Sequence, residues 1–116
     1  MNLKDLTRDE QLALGGLVRS MIRADGVFTE EEEARVTAIG EELGGGALLW
    51  RIVSDSAQAF RTDDDVRRAA TAIKRVDARE LVLGILTSVA VADTVTPSEQ
   101  GLIDGLRAAW AAADRG

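Results

Sequence analysis

Apolar residues recur at helical spacing along most of the 116-residue chain. Leu12, Leu14, Leu17, Val18, Met21 and Ile22 make a broad face that predicts a helix over about 8–23, buried against several neighbours. Between about 78 and 92 the chain is apolar nearly all round, through Leu81, Val82, Leu83, Ile85, Leu86, Val89 and Val91, as expected of a helix enclosed by others. Narrower stripes predict outer helices: Val36, Ile39 and Leu43; Val66, Ala69, Ile73 and Val76; and Leu102, Ile103, Leu106 and Trp110. Nothing alternates between apolar and polar as a half-buried strand would. The pattern predicts an all-α fold, a compact bundle of five or six helices in one domain. The first helix and that of 78–92 are expected as its central pair.

The polar residues supply the helix starts. Thr7-x-x-Glu10, Thr29-x-x-Glu32, Thr62-x-x-Asp65, Asp77-x-x-Glu80 and Thr96-x-x-Glu99 each set an oxygen acceptor three residues before an acid. In each, the first side chain can accept from backbone N–H groups of the opening turn while the acid reaches back to the cap residue. Gly44-Gly45-Gly46 ends the second helix by supplying left-handed backbone at no steric cost, and a further helix is expected near Ala47. Asp63, Asp64 and Asp65 open the fourth helix and Lys74 and Arg75 close it, matching the macrodipole at both ends. Trp50, Phe60 and Trp110, at helical positions, are assigned packing roles.

One unit occurs twice. Ala24-Asp25-Gly26-Val27-Phe28-Thr29-Glu30-Glu31-Glu32 is echoed by Ala92-Asp93-Thr94-Val95-Thr96-Pro97-Ser98-Glu99, with one residue fewer in the second turn. Thr29, Glu32, Val36 and Ile39 then fall on Thr96, Glu99, Ile103 and Leu106, each 67 positions on. The register predicts an internal repeat of helix–turn–helix units over about 8–43 and 78–112, related by a pseudo-twofold. An apolar helix ending in Ala-Asp-Gly, then an apolar residue, Thr and a run of Glu, resembles the TerB-like family, named for tellurite-resistance proteins. The second Ala-Asp…Thr-Pro-x-Glu unit extends the resemblance to about Thr7–Trp110. It departs from the family where Thr94 stands in place of Gly. The resemblance implies an all-helical fold with an internal pseudo-twofold, association with bacterial stress-response or tellurite-resistance operons and larger assemblies, and a suggested acidic metal-binding role.

Composition narrows the functions. There is no cysteine, histidine or tyrosine, and the net charge is −6. A nucleic-acid partner is not expected, because phosphate neutralisation needs a clustered positive surface. The first residues, Met1-Asn2-Leu3-Lys4-Asp5, do not read as a secretory signal. The longest apolar stretch, Leu81–Ala92, spans about 18 Å as helix, short of a transmembrane segment. A soluble, cytoplasmic protein is expected.

No enzyme is expected either. Serines lack a His or Cys partner, the only lysines are Lys4 and Lys74, and no glycine-rich loop carries a phosphate-binding pattern. Asp25-Gly26-x-Phe28-x-x-x-Glu32 imitates the back half of an EF-hand, but the first ligand positions would be Met21 and Arg23. Two readings of the acidic turns stand. Asp25, Glu32, Asp93 and Glu99 could supply oxygens to one Ca²⁺ or Mg²⁺ ion, or they are structural caps of their own turns. Charge is segregated as well: Glu30, Glu31, Glu32 and Glu33, with Glu41 and Glu42, make one acidic helix face, and Arg67, Arg68, Lys74, Arg75 and Arg79 gather around the fourth helix and the start of the fifth. Of these, Glu30, Glu31, Glu33, Arg67, Arg68 and Arg75, together with apolar positions around Trp110, are the expected partner-binding surface. The function expected is that of a protein-interaction or adaptor module, self-association included. The alternative is a divalent-metal-binding stress-response protein.

Overall fold

The structure, a computed structural model, describes residues 2–24, 30–90 and 97–115, with Ala24, Ser98 and Glu99 described by backbone alone. After a short 3-10 turn, Leu3–Asp5, come α1 (Arg8–Ala24), α2 (Glu30–Glu42), α3 (Gly46–Ala59), α4 (Asp63–Thr71), α5 (Val76–Ala90) and α6 (Pro97–Arg115). Among the described residues there is no strand, so the fold is the all-α bundle that the periodicity predicts. No helix among them is long and apolar enough to cross a membrane.

Local chemistry sets the boundaries. Glu10 N–H donates to Thr7 Oγ1 at 3.2 Å while Thr7 N–H donates to Glu10 Oε1 at 2.8 Å, closing the reciprocal box at the head of α1. Thr62 and Asp65 do the same for α4, at 3.2 Å in each direction. The C-terminus of α2 is a Schellman turn: Gly44 has φ +107°, and Gly45 N–H donates to Gly40 O at 2.7 Å. Both hairpin turns of the expected repeat, 25–29 and 91–96, lie outside the described residues.

Three expectations are corrected. The central helix is α1, which packs chiefly on α3 and α4 and less on α5. The cause is steric: at Gly15 a Cβ would stand 2.5 Å from Ile52 O of α3, and at Gly16 one would stand 2.9 Å from the Val66 side chain of α4. These glycines let two neighbours close on α1, while α5 forms a wall on which Leu81 and Leu83 stay half-buried. Secondly, α4 stops at Thr71, before Lys74 and Arg75, and Val76 is 62% exposed, outside the stripe it was assigned to. Thirdly, α5 begins at Val76, and Arg79 N–H donates to Arg75 O, so Asp77 lies within the first turn and is not its cap.

The core joins all six helices and the opening turn, where Leu3 is fully buried. Trp50 and Phe60 pack at its margin, as expected, with Trp50 Nε1 donating to Thr37 Oγ1 at 2.9 Å to tie α3 to α2.

Candidate functional site

The acidic residues of the two turns are only partly described. Asp25 and Asp93 lie outside the described residues, and Glu99 is placed by backbone alone on the first turns of α6. Glu32 sits in the first turn of α2 and is 3% exposed, the most enclosed carboxylate among the described residues. Those residues contain no group of three or more acidic side chains arranged to hold a metal ion.

Charge is distributed differently from the expected pattern. The arginines around α4 do not form a free basic patch, because each has a carboxylate close by. Arg67 reaches Asp64 at 3.5 Å, Arg68 reaches Asp65 at 2.8 Å, and Arg79 reaches Asp114 at 2.7 Å. Arg75 is drawn away from solvent duty by Glu10, to which Nε donates at 3.0 Å, and by the carbonyl of Asp5, to which Nη2 donates at 3.0 Å. These pairs are mostly exposed and add little stability singly, yet they offset much of the positive field that a partner would meet, the long Arg67–Asp64 pair least.

No such cancellation occurs on α2. Glu30, Glu31, Glu33, Glu41 and Glu42 are all exposed, and none has an ion pair among the described residues. The only cation on the same helix is Arg35. Glu30, Glu31 and Glu33 occupy the first turn, where the macrodipole favours them; Glu41 and Glu42 occupy the last, where it does not. The outer side of α2 is thus negative at both ends, with Arg35 between them.

Trp110 itself offers no exposed apolar surface, for a specific reason. Trp110 is 4% exposed, its Nε1 donates to Ala70 O at 2.8 Å, and the Arg79 guanidinium lies 5.3 Å from its ring centroid. Arg79 Nε donates in turn to Ile73 O at 2.7 Å. Trp110 and Arg79 therefore serve the end of α4, and the indole belongs to the core.

Neither Glu10 nor Arg79 is marked in the sequence as the partner of a distant element. The signal for Glu10 is its helical spacing from Leu6, Ala13 and Leu14, which puts a carboxylate on the apolar side of α1, where it needs a cation once buried. Set against protein-family models, curated proteins and solved structures, the chain matches none.

Proposed function

We propose that the chain is a non-enzymatic protein-interaction module of the TerB-like type, a cytoplasmic adaptor or subunit of a bacterial assembly or stress-response system, which takes a basic partner surface on the outer side of α2. The carrying observation is the charge of that helix: five of its six glutamates are exposed without an ion pair among the described residues, against one arginine. Such a predominantly negative surface speeds encounter with a complementary partner and makes capture fall with ionic strength. Glu41 and Glu42 sit where they weaken the helix, so their placement has no stability rationale. The doubled Ala-Asp turn supports the family resemblance on which the adaptor reading leans.

The test is photo-crosslinking in bacterial cells from a probe at the exposed Ala34, with a Glu30→Lys/Glu31→Lys/Glu33→Lys variant beside the wild type. Crosslinks to a protein with a basic surface, lost in the triple variant and weakened by salt, are expected. Crosslinks that persist in that variant would refute the α2 surface.

A second reading is favoured by the burial of Glu32. A carboxylate this enclosed, at the head of α2 and next to the acidic turn, is suited to a divalent cation shared with Asp25, Asp93 and Glu99. A divalent cation should then raise the melting temperature.

A further inference from the structure

Three helices, α1, α4 and α6, leave a groove of about 400 Å³ between them. That size lies within the range in which proteins hold small molecules. Its floor is apolar, made by Leu17 of α1, Val66 of α4, and Leu102 and Leu106 of α6.

One wall is Gly101 and Gly105, a helical turn apart on α6. A Cβ built on either would meet nothing within 4 Å. Glycine inside a helix weakens it relative to alanine. Gly15, Gly16 and Gly40 repay this by admitting a neighbouring helix, whereas no neighbour requires Gly101 or Gly105. What the two missing side chains provide is the depth of the groove.

Polar groups gather at one end: Ser20 and Arg23 from α1, Asp63 and Arg67 from α4. Arg23 is held by Asp63 at 2.8 Å, which cancels one charge of each sign. Among the described residues Arg67 pairs with Asp64 alone, at 3.5 Å, with the two side chains 71% and 76% exposed. A pair so long and so exposed is readily exchanged. The Arg67 guanidinium is accordingly the cation that the groove can offer, and its planar fork matches a carboxylate.

We infer that this groove binds a small anionic amphiphile, with a single aliphatic chain along Gly101 and Gly105 and a carboxylate taken by Arg67. Attraction is local, because the net charge of −6 repels anions at long range, so the apolar chain supplies most of the affinity. The groove is built by helices other than α2, and its test is independent of the partner reading above.

The experiment is calorimetric titration of the full chain with decanoate, decanol and decyltrimethylammonium, each kept below micelle formation. Amide shifts of α6 in NMR spectra locate the site. Wild type is expected to bind decanoate saturably, more tightly than decanol, with shifts at Gly101 and Gly105. A Cβ at Gly105 would meet nothing within 4 Å, so Gly105→Leu reaches into the groove against its apolar lining and should melt near the wild-type temperature while losing about tenfold or more in affinity. Arg67→Gln should abolish the preference for decanoate over decanol. Gly101→Leu provides the same block one turn earlier should Gly105→Leu fail to fold. Absence of saturable decanoate binding would overturn the inference, as would wild-type affinity in a folded groove-filling variant or equal affinity for the cationic probe.

Discussion

Arg75 and Glu10, 65 residues apart in sequence, are joined by two hydrogen bonds: Arg75 Nε donates to Glu10 Oε2 at 3.0 Å, and Nη2 donates to Oε1. The same carboxylate accepts from Thr7 N–H. One side chain thus completes the first turn of α1 and fastens the α4–α5 link to it. Glu10→Ala removes the box and leaves Arg75 without its carboxylate, at a cost of about 2 kcal/mol. Urea unfolding should show a lower midpoint with unchanged slope, and an unchanged midpoint would refute the clamp.

The same pair predicts the pH dependence. Hydrogen bonding from Arg75 holds the Glu10 carboxyl below its usual range, outweighing burial, with the Thr7 amide adding to the effect. Amides of Arg61 and Thr62 lower Asp65, and Arg79 lowers Asp114. Because the folded values lie below the unfolded ones, their contribution is complete above the ordinary carboxylate range and is lost as pH falls through it towards the folded values. The chain has no histidine, so melting temperature should be level from about pH 6 to 8 and drop below about pH 4. Glu10→Gln should show a shallower acid limb. A main transition near neutrality would contradict this account.

Two glycines should respond oppositely to the same change. At Gly15 a new Cβ would collide with backbone of α3, 2.5 Å from Ile52 O, whereas at Gly84 it would meet nothing within 4 Å. Gly15→Ala should destabilise by about 1–3 kcal/mol through forced separation of α1 and α3. Gly84→Ala should stabilise by about 0.5–1 kcal/mol through helix propensity. Chemical denaturation of the two variants checks both signs, and equal effects would refute the close crossing.

Trp110 closes the end of α4. Trp110→Phe keeps a ring beneath Arg79 but loses the bond to Ala70 O, and should cost about 1 kcal/mol, since that carbonyl still accepts from Ile73 N–H. Trp110→Ala should cost about 3–5 kcal/mol by opening a cavity. Circular dichroism against urea measures both, and wild-type stability of the Ala variant would place the indole outside the core.

The cation reading predicts that millimolar Ca²⁺ or Mg²⁺ raises the melting temperature, and that Asp25→Asn and Asp93→Asn each lose the increase. Variants that are less stable but indifferent to metal would make these aspartates caps.

Helix starts were legible because capping is a short-range matter: Thr7 with Glu10 and Thr62 with Asp65 satisfy each other within one turn. The stop at Gly44 was legible for the same reason. The end of α4 was not, since Ala70 O in its last turn and Ile73 O just beyond it are taken by Trp110 and Arg79, 40 and 6 residues away, with no glycine or proline to mark it. Nor could apolar spacing show that α1 would be central, because the close approaches depend on Gly15 and Gly16, which carry no hydrophobic signal. The charge pattern was half legible. Five of the six glutamates of α2 read correctly as exposed, while Glu32 is buried, and Arg75 read as surface charge because its partner lies at the other end of the fold.

The opening turn bears on how α2 would respond to load. Leu3 N–H donates to Leu43 O, just past the end of α2; Leu3 O accepts from Gln11 Nε2 of α1; and Asp5 O accepts from Arg75 ahead of α5. Three residues thereby act as a rivet through parts of the chain far apart in sequence. A pull on α2 by a bound partner would be shared at once with α1 and α5, so the acidic helix would move with the bundle and resist peeling away from it.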